Sequence, residues 1–169
     1  MSTLAVITEA EEWAIHYAVM KAELEHAGEQ GWQGRSRQPG MEDLNLHSRL
    51  AELAESRGAE LHVAKYFGID YDISENKGKH KADVGEAIEV KWTGWKLGAL
   101  RAHSMDRETD VYVLVTGKSP NYVIRGWIPV KCARVSRYSS SMPETWYVNQ
   151  DQLNPIESLA VSEYAYAIG

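Results

Sequence analysis

The feature that most constrains the fold is an uninterrupted apolar run, Val111-Tyr112-Val113-Leu114-Val115. A run of this length is typical of a strand, and a strand without alternating polar positions is usually covered on both faces. Other elements must therefore pack against both sides of the sheet that contains it. Amphipathic stretches elsewhere in the chain can provide that cover, so the sequence predicts an α/β domain.

Two segments before this run have helical patterns. Thr8 followed by Glu11 forms a capping-box pattern, and the helix that begins there is predicted to reach about His26. Its large apolar residues recur at spacings of four, three and four and form one stripe: Trp13, Tyr17, Met20 and Leu24. A second helix is predicted over 42–67, and Gly58 is expected to kink or divide it.

The rest of the chain has strand patterns separated by turns. Besides the apolar run, four short strands are predicted, 69–73, 81–84, 86–92 and 122–130, and 146–148 is a candidate edge strand. Residues 93–105 are predicted as a helix, which Gly94 and Gly98 weaken. This order of elements favours a mixed central sheet of about five strands flanked by helices.

The length of 169 residues favours a single domain in three parts. These are an N-terminal helix with a Gly-rich loop over 1–40, a core over 41–137 and a C-terminal extension over 138–169, packed on the core. The one cysteine, Cys132, allows no intrachain disulfide and no cysteine-based zinc site. Neither a membrane-spanning apolar run nor a signal-peptide pattern is seen, so we expect a cytoplasmic protein without a membrane partner.

The formal net charge of −6 argues against a nucleic-acid partner only until its distribution is considered. Of the 18 Lys and Arg residues, one lies in 1–30 and none in 138–169, which leaves 17 in residues 31–137. Of the 24 Asp and Glu residues, six lie in the first segment and four in the last, which leaves 14 in the middle. The central part of the chain is therefore mildly basic between two acidic ends, and a polyanionic partner is not excluded.

The chemistry-bearing stretch is 81–91. Because side chains alternate along a strand, Glu89 and Lys91 lie on one face while the apolar residues between them face the other way. If the preceding strand pairs with this one as a hairpin, Asp83 comes close to Glu89. Two carboxylates with little basic compensation suit Mg²⁺, which prefers oxygen ligands. The alternative interpretation is an ordinary solvated ion pair on a strand surface.

With these residues at these positions, the sequence resembles the PD-(D/E)XK nuclease superfamily, which includes restriction endonucleases and Holliday junction resolvases. Asp83 and the triplet Glu89-Val90-Lys91 match the motif, although Ala82 stands where the motif has proline. Residues 57–68 resemble the helix that supplies a further glutamate in this superfamily, with Glu60 at that position. The resemblance, which covers about 45–130, implies a restriction-endonuclease-like core.

The resemblance also implies roles for individual residues. It gives four ligands for Mg²⁺, for which Mn²⁺ is expected to substitute: Asp83, Glu89, Glu60 and the backbone carbonyl of Val90. Lys91 would act on the attacking water or on the scissile phosphate. Glu52 and Glu55 compete with Glu60 for its role, and the alternative for each is a solvated helix face.

Two further groups of residues suggest contact with nucleic acid. The turn before Asp83 carries four residues predicted to bind DNA phosphates: Lys77, Lys79, His80 and Lys81. An ordinary polar hairpin tip is the alternative interpretation. Trp32 and Trp95 lie in Gly-flanked loops, where a tryptophan can act as a wedge between DNA bases.

These observations lead us to expect a Mg²⁺-dependent DNA endonuclease that hydrolyses phosphodiester bonds by attack of a metal-activated water. Cutting both strands takes two sites, so a homodimer or larger symmetric homo-oligomer is expected. Three alternatives stay open: a structure-selective junction resolvase or nickase, a non-catalytic DNA-binding or scaffold protein with the nuclease fold, and an enzyme that cuts RNA.

Overall fold

The computed structural model describes most of the chain, in four stretches: residues 6–30, 44–75, 77 and 80–169. Two helices come first, α1 over Glu9–Gln30 and α2 over Leu46–Phe67. In the described stretches, no helix combines the length and the apolar character that crossing a membrane requires.

The N-terminal capping box of α1 is confirmed. The Glu11 carboxylate accepts a hydrogen bond from the Thr8 N–H at 2.8 Å, and the Thr8 hydroxyl oxygen accepts one from the Glu11 N–H at 3.2 Å. The predicted apolar stripe faces solvent, however, with all four side chains 52–72% exposed. The helix packs on the fold through the opposite side, where Ile15, Ala18 and Val19 are buried.

Helix α2 begins and ends with well-defined caps. The Asn45 side chain accepts a hydrogen bond from the Ser48 N–H, and Gly68 ends the helix with a φ of +68°. Gly58 does not divide the helix, which continues through it. A Cβ at this position would lie 2.3 Å from the Tyr122 hydroxyl oxygen, so the glycine is required by the close approach of that ring.

Five strands and further short helices complete the fold. The strands are β1 (Ile88–Thr93), β2 (Leu100–His103), β3 (Val111–Lys118), β4 (Asn121–Pro129) and β5 (Thr145–Val148). A short helix, α3 (Val130–Ala133), follows β4 directly. Four 3₁₀ helices lie nearer the C-terminus: Ser136–Tyr138, Gln150–Gln152, Ile156–Val161 and Ala165–Ala167.

The strands form two sheets, which corrects one prediction. β1 is parallel to β3, and β3 is antiparallel to β4, in the order β1-β3-β4. β2 and β5 form a separate antiparallel pair. The mixed α/β class is therefore confirmed, whereas a single central sheet of about five strands is wrong. The physical reason is that β2 pairs with a strand of the C-terminal extension instead of joining the first sheet.

Three local predictions are also wrong. Residues 69–73 are irregular because the Arg57 guanidinium holds this segment against α2 by donating to the carbonyl oxygens of Ile73 and Glu75 at 2.8 and 2.9 Å. Residues 81–84 contribute only an isolated bridge to β1. Residues 93–105 form a loop and then β2, since the two glycines disfavour a helix and alternate residues of β2 are buried.

The apolar strand is covered on both faces, as predicted. Val111, Val113 and Val115 pack in a core shared with α1 and α2, while Tyr112 and Leu114 pack in a second core shared with β2 and β5. The extension is tied to these layers by its backbone, because the Ala167 carbonyl accepts hydrogen bonds from two N–H groups just before β1. β1 is left as an edge strand of its sheet.

Candidate active site

Strand β1 presents one acid and one base on the same face, as the alternation of side chains predicts. Glu89 lies opposite Tyr112 of β3, and Lys91 lies opposite Leu114, so both face the second core. The Lys91 Nζ atom is 3.2 Å from the Glu89 Oε1 atom, and the two side chains are only 18% and 23% exposed. This degree of burial distinguishes the pair from an ordinary solvated ion pair.

Asp83 is held at the free edge of β1. The predicted hairpin is reduced to one bridge, in which Val84 and Ile88 exchange two backbone hydrogen bonds of 3.1 Å. That bridge is sufficient to place the Asp83 Oδ2 atom 2.8 Å from the Val90 N–H, from which it accepts a hydrogen bond. Because backbone groups alternate along a strand with a period of two, the Val90 carbonyl faces this same edge.

Glu60 of α2 approaches the same edge. Its Oε2 atom accepts a hydrogen bond of 2.5 Å from the Tyr71 hydroxyl, which the irregular segment after α2 supplies. Burial raises the pKa of Glu60, and the Glu89 carboxylate raises it further. Burial likewise raises the pKa of Asp83, and the Glu60 carboxylate adds to that effect.

Glu89 is the third carboxylate of this group. Burial, and then the Asp83 carboxylate, raise the pKa of Glu89 to about 7, although Lys91 acts in the opposite direction. Three acids that raise one another's pKa form a site where additional positive charge is strongly favoured. We call Glu60, Asp83 and Glu89 the carboxylate cluster.

The donor chemistry of the carboxylate cluster fits a hard divalent cation. Within the described residues, hydrogen bonds reach only one oxygen of each carboxylate, which leaves the other available as a ligand. Oxygen donors of this kind are what Mg²⁺ and Mn²⁺ prefer. No three His, Cys, Asp or Glu side chains of the described stretches already form a metal-binding group, so binding requires the carboxylates to move closer together.

Lys91 lies between two carboxylates. Its Nζ atom is also 3.0 Å from Asp106 Oδ2, which accepts further hydrogen bonds from the Tyr112 hydroxyl at 2.5 Å and the His103 N–H at 3.1 Å. Burial favours the neutral amine, but Glu89 and Asp106 outweigh it, so the pKa of Lys91 is raised above its ordinary value. The Lys91 side chain is therefore kept protonated, and its ammonium is fixed in position by two ion pairs.

Asp106 and Tyr71 are the site residues that sequence reasoning missed. Asp106 lies in the turn between β2 and β3, and Tyr71 lies in a segment predicted to be a strand. Asp106 belongs to no motif or periodic pattern, and the alternating pattern over 69–73 that includes Tyr71 does not indicate a contact with Glu60. The only local signal for Asp106 is an acid shortly before a fully apolar strand.

The alternatives to Glu60 are placed elsewhere by the structure. Glu55 accepts hydrogen bonds from the Tyr122 hydroxyl at 2.7 Å and from the Ser119 N–H at 3.0 Å, so it joins α2 to the β3–β4 turn. Glu52 lies on the exposed surface of α2. Among the three candidates, Glu60 is the one whose carboxylate is coupled to Asp83 and Glu89.

The residues predicted to bind phosphates have varied surroundings. Lys77 points inward, with its Nζ atom 4.5 Å from the centre of the Tyr71 ring, and it donates to the Asp83 carbonyl. Lys81 is paired with Glu75 at 2.7 Å. His80 is exposed, and Lys79 lies outside the described residues. Lys77 therefore contributes a positive charge next to the carboxylate cluster.

Comparisons with known proteins return no match. No protein-family model, no curated protein and no solved structure matches this chain. The site is accordingly defined by its own geometry: a carboxylate cluster at the free edge of a strand, next to a lysine held in its charged form.

Proposed function

We propose that the chain is a metal-dependent endonuclease that hydrolyses DNA phosphodiester bonds with Mg²⁺, or with Mn²⁺ in its place. One observation carries the proposal: the buried carboxylates of Asp83, Glu89 and Glu60 raise the pKa of one another beside the strand that also bears Lys91. This is the set of residues to which the resemblance to PD-(D/E)XK nucleases assigns metal binding and catalysis. The α/β fold would then be a variant of the restriction-endonuclease-like core.

The residues present define how a metal would be held. The free oxygens of Asp83, Glu89 and Glu60 and the Val90 carbonyl would be its ligands, and the metal would neutralise the negative charge of the carboxylate cluster. When bound, Mg²⁺ supplies a Lewis acid that polarises the phosphate and lowers the pKa of a coordinated water.

Lys91 contributes a fixed positive charge. Because Glu89 and Asp106 keep it protonated, it acts as a hydrogen-bond donor and not as a base. An ammonium in this position stabilises the negative charge that develops on a phosphate oxygen during hydrolysis. Lys91 is therefore assigned to stabilisation of the transition state.

We also propose a symmetric homodimer as the active form. A single site cuts one strand, and a two-fold axis supplies the second site. The exposed apolar stripe of α1 (Trp13, Tyr17, Met20 and Leu24) is a surface that a second copy can bury.

The decisive experiment measures DNA cleavage in Mg²⁺, in Mn²⁺ and in excess EDTA. Cleavage is expected with either metal and not in EDTA. Lys91→Ala should reduce the rate by at least about 10²-fold while DNA binding persists, since the lost group acts in the transition state. Lys131→Ala is the control, because it removes an exposed lysine that makes no contact with the carboxylate cluster or Lys91 among the described residues, and it should cleave DNA as the wild type does.

Several substrates separate the proposal from its alternatives. Linear duplex, branched and single-stranded DNA and an RNA of equal length are compared with one preparation. Cleavage of branched DNA alone favours a resolvase or nickase, and cleavage of RNA alone favours a ribonuclease. If no substrate is cut in either metal, the enzyme proposal is wrong and a scaffold role is favoured.

A further inference from the structure

Beyond the carboxylate cluster, a surface groove of about 550 Å³ opens at the end of β1. Its lining consists of six residues: Glu52, Trp92, Thr93, Gly94, Trp95 and Lys118. Trp92 directly follows Lys91 in the strand, and Thr93 lies about 7 Å further along than Lys91. A ligand in this groove would therefore lie at the end of the strand that carries Lys91.

Trp95 is exposed but its backbone is fixed. The side chain is 80% exposed, whereas its N–H donates to the Thr93 hydroxyl oxygen at 3.3 Å and its carbonyl accepts from the Gly98 N–H at 2.9 Å. The Gln150 amide also donates to the carbonyls of Lys96 and Gly98, at 2.8 and 2.9 Å. The loop thus presents an indole ring to solvent on a preorganised turn, which suits a stacking partner.

The groove walls carry one cation and one anion besides the aromatic rings. Lys118 forms no ion pair with any described residue, so its ammonium is available for a phosphate. The exposed Glu52 carboxylate can accept a hydrogen bond from an exocyclic amino group of a base. Trp92 is anchored by its Nε1–H, which donates to the Gly117 carbonyl at 2.8 Å.

We propose that this groove binds one unpaired nucleotide of the DNA substrate. The base stacks on Trp95, Glu52 accepts a hydrogen bond from its amino group, and Lys118 contacts its phosphate. In a fully paired duplex both faces of each base are stacked, so the groove selects DNA with an unpaired base beside the cleaved bond. This inference rests on the proposed nuclease function and specifies its substrate class.

The test measures binding in Mg²⁺ by fluorescence anisotropy, in the Lys91→Ala background so that the probe is not cut. The probes are a duplex with one bulged cytosine and the same duplex fully paired. Trp95→Ala is expected to weaken binding of the bulged duplex roughly 5- to 100-fold, as loss of one stacked base does, with little effect on the paired duplex. Trp95→Phe, which retains a ring, should preserve most of the preference.

Val161→Ala removes an apolar side chain that is 86% exposed and not in the groove, so it controls for nonspecific surface effects. Equal affinities of the Trp95→Ala and Val161→Ala variants for the bulged duplex would overturn the groove proposal, even if the wild type cleaves DNA. Conversely, a bulge preference that depends on Trp95 in a protein that cleaves nothing would support the groove and overturn the nuclease function. Absence of binding to both duplexes would overturn both.

Discussion

Two glutamates of α2, five residues apart, have opposite surroundings. Both Glu55 and Glu60 are half-buried, but the helix turns by about 140° net between them, so they face different parts of the molecule. Glu55 accepts hydrogen bonds from Ser119 and Tyr122 of the β3–β4 hairpin. Glu60 accepts one from Tyr71 and is buried near the Arg57 and Lys77 cations and the Glu89 carboxylate.

This difference separates a structural acid, Glu55, from the acid that we propose to be functional, Glu60. The donors around Glu55 compensate its burial, so its carboxylate joins two elements at little electrostatic cost. Burial and the Glu89 carboxylate raise the pKa of Glu60 although Tyr71, Arg57 and Lys77 act in the opposite direction, and a raised pKa of this kind is typical of functional sites. Burial and hydrogen bonding alone do not distinguish the two residues, whereas the charge of their neighbours does.

The comparison is tested most strongly by Glu60→Gln and Glu55→Gln, two isosteric changes in one helix. Glu60→Gln is expected to lower kcat/KM for DNA cleavage by roughly 10²–10³, as loss of a key electrostatic group does. At pH 8 and without metal, the Glu60→Gln variant should be at least as stable as the wild type, because the substitution removes a charge that repels the neighbouring carboxylates. Glu55→Gln should leave cleavage unchanged and cost about 1–2 kcal/mol of stability.

Cleavage rates and urea denaturation of both variants provide the measurement. If Glu55→Gln impairs cleavage while Glu60→Gln does not, the assignment of the two glutamates is reversed. If both change stability alone, then neither residue serves the site.

The fold was predictable where adjacent residues carry the signal. The apolar run of β3 and the capping box at Thr8 each lie within five residues, and both predictions are confirmed. β2 was predicted as part of a helix because its partner is distant, with Ala102 opposite Trp146. Such a long-range pairing cannot be deduced from local spacing, and it also explains why the strands divide into two sheets.

The same distinction applies to the site. Asp83, Glu89 and Lys91 lie within nine residues, so strand alternation and one turn suffice to predict their proximity. Asp106 meets Lys91 only because the turn after β2 folds back against β1, and Tyr71 meets Glu60 because Arg57 fixes an irregular segment. Contacts made through irregular backbone leave no periodic pattern in the sequence.

The carboxylate cluster makes the free energy of unfolding depend on pH. The folded-state pKa of Glu89 is raised from 4.5 to about 7, so between about pH 4.5 and 7 the unfolded chain releases a proton that the folded chain keeps. Stability is therefore lost as the pH rises through this window, by roughly 2–3 kcal/mol for this group. Glu89→Gln removes the loss, and Mg²⁺ should reduce it in the wild type.

Urea denaturation in EDTA at pH 4.5 and pH 7.5 measures the effect. The stability of Glu89→Gln relative to the wild type should increase between the two pH values. Glu25→Gln, an exposed glutamate of α1, is the control and should show no such change. If the difference in unfolding free energy between Glu89→Gln and the wild type is the same at both pH values, burial beside Asp83 does not raise the pKa of Glu89.

The structural side of the comparison is tested by Gly58→Ala. Alanine favours a helix by about 1 kcal/mol, but its Cβ would lie 2.3 Å from the Tyr122 hydroxyl oxygen and displace the ring from Glu55. We expect a net loss of roughly 1–2 kcal/mol in thermal or urea denaturation. In a Tyr122→Phe background the cost should be smaller, and an equal cost in both backgrounds would locate the strain elsewhere.

Asp110 and Asp106 differ in the same way as Glu55 and Glu60, and their substitutions are expected to have the smallest effects. Asp110 is buried and paired with Arg107 at 2.9 Å, whereas Asp106 holds Lys91 at 3.0 Å. Asp106→Asn should lower the cleavage rate about tenfold, as loss of a supporting partner does, without unfolding the protein. Because one of two anions that raise the pKa of Lys91 is lost, the alkaline limb of the pH–rate profile should move to lower pH. Asp110→Asn should reduce stability and leave that limb in place, and an unmoved limb in Asp106→Asn would mean that Glu89 alone keeps Lys91 charged.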